Sequence, residues 1–388
     1  MKTLSALVVL TTLLAFGILL TITRATPPTL SRHFTGLGDL PGGFASSMAC
    51  GVSADGAAVV GCGNSASGTE AFRWTRTGGM EGLGFPQAFA ITADGSMVVG
   101  FRHTAKHAEP VRWTHDGGTV SLGKLPDYDY GSANGVSADG SVIVGTYGAG
   151  NSITFRWTPG RGIAGLPGLP GALVHCEARA VSADGAVVVG ESRYESDNDE
   201  AFRFHADTGL IQLGSLPGDW RSVADGVSAD GSVIVGSSVG ADAQAFRWTQ
   251  HTGMIGLGTL PDGSSDSRAC GVSADGSIIV GQCYGEGGFE AFIWDAAHGM
   301  RSLRQVLVSQ FDVGGCLAGW KLQSANAVSA DGAFVVGYGM NPSGDREAWL
   351  AYLGDAHRPV ALTAAKLAVA GTRSHQCPAY ISADHSEK

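Results

Sequence analysis

The stretch VSADG at Val52–Gly56 decides how this chain is read, because it returns. ITADG ends at Gly95, and VSADG ends again at Gly140, Gly185, Gly231, Gly276 and Gly332. The aspartates 55, 94, 139, 184, 230, 275 and 331 mark a period near 45 residues, of the kind found in propeller blades and helical pairs. What surrounds each aspartate separates the two. Val or Ile stands three residues before it in every copy and Val five residues after it, so β-branched runs flank a Gly-containing turn and each unit opens with a hairpin.

A second signature follows in each unit. EAFRWT at Glu70–Thr75 returns as EPVRWT, ITFRWT, EAFRFH, AFRWT, EAFIWD and EAWLAY, and its alternating large residues give a third strand. Short segments such as GMEGLG and GLIQLG give a fourth, and Pro86, Pro126, Pro170, Pro217 and Pro261 close the units. Four antiparallel strands repeated seven times predict an all-β, seven-bladed β-propeller over residues 33–354. The chain enters with TGLGDLPGG, Thr35–Gly43, a fourth strand lacking its first three, and the seventh unit stops after its third strand near Leu353. The N-terminal strand is therefore expected to complete the last blade. Ala stands six residues before every aspartate (49, 88, 133, 178, 224, 269, 325), as the crowded axis of a ring requires. The interval of 56 residues before the last aspartate predicts a short helical insertion over Ser302–Phe311.

The seven Asp-Gly pairs are expected to be seven copies of one turn. Asp accepts local hydrogen bonds and Gly supplies a positive φ, whereas a site for one ligand must break the symmetry.

The units resemble the bacterial extracellular HAF-repeat family, whose consensus joins an S-x-D-G hairpin to a His-Ala-Phe strand ending in Trp. Glu70, Glu200, Glu290 or Gln244 stands where that family has its His, and the closing stretch from Gly319 resembles its usual last repeat. The resemblance covers about residues 35–353 and implies secretion or surface exposure. It supplies no catalytic residues.

Residues 1–25 read as a signal peptide or N-terminal anchor, with Lys2, an apolar run from Leu4 to Leu20 and a cleavage point after Ala25. Residues 355–388 form a C-terminal tail. Net charge is −10 with no Lys/Arg run, which makes nucleic acid and anionic membranes poor partners, so membrane contact is expected only through an uncleaved leader. The expected protein is a secreted, periplasmic or cell-surface monomer, a non-enzymatic scaffold for an extracellular protein or glycan, with no cofactor and no metal. The alternative is a propeller glycosidase or polysaccharide lyase.

Binding is expected on the face that carries the variable loops. Tyr128, Tyr130, Tyr194 and Trp220 in those loops could stack on a sugar. The position five residues before each aspartate varies freely: Cys50, Phe89, Asn134, Arg179, Asp225, Cys270, Asn326. Arg179 and Asp225 make it the one column with ligand-like chemistry. Cys50 with Cys62, and Cys270 with Cys283, bracket equivalent hairpins and are expected to form disulfides.

Overall fold

A computed structural model describes residues 33–354 except 106, 149–151, 167–174, 194–197, 262 and 312. The expected leader, the C-terminal tail and Tyr194 lie outside the described residues.

The chain is all-β and built from four-stranded antiparallel sheets, with one helix among the described residues. Units two to six each form a sheet whose strands follow sequence order. Unit four, for example, runs His175–Val181, Val187–Arg193, Asp199–His205 and Gly209–Gly214. Units one and seven are joined through a single parallel bridge, Ser46 to Arg346. Phe34–Gly36 pairs antiparallel with the third strand of unit seven, Phe34 opposite Ala351 and Gly36 opposite Trp349. Phe34 is buried there, its ring edge-on to Trp320 at 5.2 Å.

The Asp-Gly turn has the same construction throughout. In unit three the Ser137 hydroxyl donates to Asp139 Oδ1 at 2.8 Å, the Ser141 N–H donates to the same oxygen, and Gly140 takes φ 73°. All seven turn glycines have φ between 70° and 74°. The Ala between Ser (or Thr) and Asp donates its N–H to the matching Ala carbonyl of the following unit: Ala54 to Ala93, Ala93 to Ala138, Ala138 to Ala183, Ala183 to Ala229, Ala229 to Ala274 and Ala274 to Ala330, at 2.9–3.0 Å. The turn thus fastens neighbouring units as well as reversing the chain, which is the structural role expected of the aspartates.

Each innermost strand carries a β-bulge at the same place. Pairing jumps from Ala133 to Gly135 in unit three and from Ala178 to Ala180 in unit four, and at the equivalent residues elsewhere. The seven alanines are fully buried. The skipped residue is the freely varying one, and the extra residue of a bulge is turned out of the ladder. A glycine on the second strand faces each bulge. At Gly190 an added Cβ would stand 1.8 Å from the Glu177 carbonyl oxygen, and the equivalent contacts at Gly61, Gly100, Gly145, Gly236, Gly281 and Gly337 are 1.8–2.0 Å.

The insertion is a helix, Leu303–Phe311, as expected. The Ser302 hydroxyl accepts from the Gln305 N–H at its start. Leu303, Val306 and Leu307 enter a core shared by units six and seven, with Leu317, Trp320 and Trp349.

The disulfides are corrected. No disulfide joins Cys50 to Cys62 or Cys270 to Cys283. Strand register places Cys62 opposite Met48 and Cys283 opposite Ser267, while Cys50 and Cys270 are the bulged residues. Cys283 instead packs against the Met300 sulfur at 3.4 Å.

Candidate functional site

All seven bulged residues line one cavity of about 690 Å³. Five of them are neutral, Phe89 among them, and the other four are fixed by their bonds or burial. Asn134 and Asn326 donate to the carbonyls of Ala178 and Ala49 in the adjoining units, both at 2.7 Å. Burial pushes the Cys50 thiol above the ordinary range and the Cys270 thiol up to about 12, so neither is a ready thiolate.

Arg179 and Asp225 are different, and the structure brings them together at 3.6 Å. They belong to a chain of ion pairs that crosses units four, five and six. Arg268 holds Asp225 through Nε and Nη2, at 2.9 and 2.6 Å. Arg179 and Arg221 each donate to one oxygen of Glu191, both at 2.6 Å. Arg193 reaches Asp199 at 3.2 Å. The first strands of these units bring in Arg179, Arg221, Asp225 and Arg268, whereas Glu191, Arg193 and Asp199 stand at the ends of the second and third strands of unit four.

The layering of this network has chemical content. The carboxylates lie beneath, with side chains 2% (Glu191), 9% (Asp225) and 11% (Asp199) exposed, while Arg179, Arg193, Arg221 and Arg268 are 33–44% exposed above them. Solvent therefore meets guanidinium groups. Burial alone would raise the Glu191 carboxyl, but the bonds and charges of Arg179 and Arg221 outweigh it and hold the group below the usual range. The Asp225 charge, against the opposing effect of burial, raises Arg268 further.

His175, Glu191 and Asp199 offer ligand atoms within 4.8 Å of one another, the one such group among the described residues. Both Glu191 oxygens already accept guanidinium protons, and His175 shares a 2.6 Å bond with Ser152. Arginine serves here as the counter-charge that a cation would otherwise provide.

A second pocket of about 270 Å³ adjoins the first between units five and six; it shares Arg179 and Arg268 with the first and adds Arg221. Its outer wall is Tyr284 and Phe289, cross-strand partners with ring centroids 5.0 Å apart, both about half exposed. These are the aromatics beside the charged network. Trp220 precedes Arg221 and is exposed, and Tyr130 is exposed on unit three, but neither lines either pocket. Tyr128 packs against the unit-three core.

No family model and no curated protein matches the sequence. Solved structures do resemble the fold. An oligogalacturonate lyase from Vibrio parahaemolyticus superposes with a TM-score of 0.55 at 11% identity, over 84% of this chain and 94% of the other. TolB from Acinetobacter baumannii gives a TM-score of 0.45 at 15% identity over 64% of this chain, which spans 60% of that protein's length. The chain has a β-propeller scaffold. Among the described residues, no helix is long and apolar enough to cross a membrane.

Proposed function

We propose that this chain is a secreted or envelope-attached binding propeller without enzymatic activity, a ring of seven blades whose ligand sits at the channel mouth over units four to six. The carrying observation is asymmetry. A frame of near-identical turns, bulges and alanines holds a single chain of ion pairs, Arg268–Asp225–Arg179–Glu191–Arg221, of which Arg179, Asp225 and Arg268 line the cavity. Seven blades and ring closure are supported by the pairing of Phe34–Gly36 with unit seven and by the bond from Asn326 to Ala49 between units seven and one. The likeness of the repeats to HAF repeats favours an extracytoplasmic location.

The rival reading is a propeller glycosidase or polysaccharide lyase. A glycosidase needs a carboxyl kept protonated near neutrality to act as acid. Here Glu191 is held below its usual range by Arg179 and Arg221, the opposite of what such an acid needs. The one carboxyl with a raised pKa among those resolved, Asp39, lies outside both pockets.

The test is a panel of glycosides, polysaccharides and extracellular proteins offered to the full chain and to Arg179→Ala and Asp225→Ala. Saturable binding that either substitution weakens, without product formation, supports the scaffold reading. Turnover lost in either variant would make the protein an enzyme.

A further inference from the structure

The mouth carries two features that the repeat does not explain, and they are contiguous. One is the exposed guanidinium layer. The other is the Tyr284–Phe289 pair, which stands on the hairpin of unit six that overhangs the same pocket. Large exposed aromatic rings at a hairpin end cost solubility and stabilise nothing in the core, and a flat apolar face next to hydrogen-bonding groups is how a protein holds a polar ring.

We propose that the pocket between units five and six binds an anionic sugar, its ring against Tyr284 and Phe289 and its acid group against Arg268 and Arg221. The proposal rests on the binding reading above and names the ligand class of that same site. Three observations carry it. Arg221 and Arg268 keep more than two-fifths of their side chains open to solvent while their carboxylate partners are sealed below, so the network is neutralised from beneath and unsatisfied from above. The Nε atoms of Arg179 and Arg221, two residues that line this pocket, are buried without a hydrogen-bond partner among the described residues. Unmet polar groups gathered at one place in a structure mark where a polar ligand or ordered water belongs. The pocket's polar wall also includes Ser237, Asp266 and Gln282, neutral and acidic acceptors for hydroxyl protons beside the cationic end. Its volume, about 270 Å³, is below that of drug-sized sites and suits one ring of a longer chain that continues over the mouth.

The acid group could be a carboxylate or a sulfate, since a guanidinium fork fits both. Calorimetric titration of the full chain with a uronate trisaccharide, its methyl ester, a sulfated disaccharide and an acidic pentapeptide separates the sources. At least one anionic sugar should bind saturably, and if the uronate does, esterification should weaken it by about tenfold or more through loss of the bidentate contact. Whichever anionic sugar is tighter names the acid group. Arg268→Lys, which keeps the charge but loses the fork, should weaken binding by about tenfold. Phe289→Ala should do the same with an unchanged melting temperature, which guards against a folding artefact. Equal binding of ester and acid, equal binding of the peptide, indifference to both substitutions, or no saturable binding of either anionic sugar would overturn the proposal. Binding of a neutral glycan or a protein at the mouth would sink the anionic-sugar assignment and leave the scaffold reading standing, whereas turnover would do the reverse.

Discussion

Arg268 grips Asp225 through two guanidinium nitrogens, 2.9 and 2.6 Å from its two oxygens, across the boundary between units five and six. The bond is bidentate and half sheltered: the aspartate side chain is nearly buried and the arginine side chain is 42% exposed. A double-mutant cycle of Arg268→Gln and Asp225→Asn in urea should therefore give a coupling of about 1–2 kcal/mol, between the values of surface and fully buried pairs. A coupling near zero would reduce this pair to an incidental surface contact.

Glu191 is the more deeply placed partner, accepting from Arg179 and Arg221 at once. Glu191→Gln leaves two guanidiniums short of one negative charge. Because both are partly solvated, the loss should be about 2–3 kcal/mol rather than the ~3–5 of a sealed pair. The carboxyl lies below its usual range when folded, so its contribution is present above the unfolded pKa and is lost as pH falls through the folded one. The wild type should lose stability on acidification below about pH 4 more steeply than Glu191→Gln, a difference that denaturant melts across pH 3–6 would register.

The turns add to the same acid sensitivity. Asp139 is held down to about 2, chiefly by the Ser141 N–H and hydroxyl and then by Ser137, and Asp55, Asp94, Asp184 and Asp230 are lowered as well. Their bonds are all local, so calcium or a chelator should leave the melting temperature where it is. A calcium-dependent rise that disappears in Asp139→Ala would contradict the turn assignment.

Glycines at two places should rank differently. Gly140 and Gly231 share a positive φ, 73° and 71°, yet an added Cβ at Gly140 meets the flexible end of Met97 at 3.0 Å, whereas at Gly231 it meets Val187 Cγ2 at 2.4 Å. Gly140→Ala should cost about 1–2 kcal/mol, from backbone strain, and Gly231→Ala should cost more. Gly190→Ala should be the worst of the three although its φ is ordinary, because its Cβ would be driven into the Glu177 carbonyl. Thermal melts of the three variants settle the order.

Leu307 is fully buried where the helix meets units six and seven. Leu307→Ala should cost about 2–5 kcal/mol. A loss confined to a few tenths would mean that the helix is an ornament on the rim.

Much of this was legible in the chain. The hairpin turn could be read because Asp-Gly chemistry is local, and the helix because its apolar spacing is local too. The varying column was visible as variation, and Arg179 and Asp225 stand in it. The bulge that turns this column toward the cavity was not read, although a glycine six residues after every aspartate was its trace: only Gly can lie across from that carbonyl. Glu191, Arg221 and Arg268 were missed for another reason. Each looks ordinary within its own unit, and their meaning arises where three units converge. Tyr284 and Phe289 were hidden likewise, since register alone makes them neighbours. The cysteine pairs failed on register, Cys62 falling opposite Met48 and Cys283 opposite Ser267.

The bulge has one more consequence. By ejecting a residue from the ladder in every unit, it separates the part of the strand that must stay small from the part that touches the outside world. Cys50, Phe89, Asn134, Arg179, Asp225, Cys270 and Asn326 differ in size, charge and polarity, yet the alanine beside each is buried to the same degree. The alanine can therefore stay fixed while its neighbour changes: Asn134 and Asn326 use that freedom for bonds to the adjoining unit, and Arg179 and Asp225 use it for ion pairs.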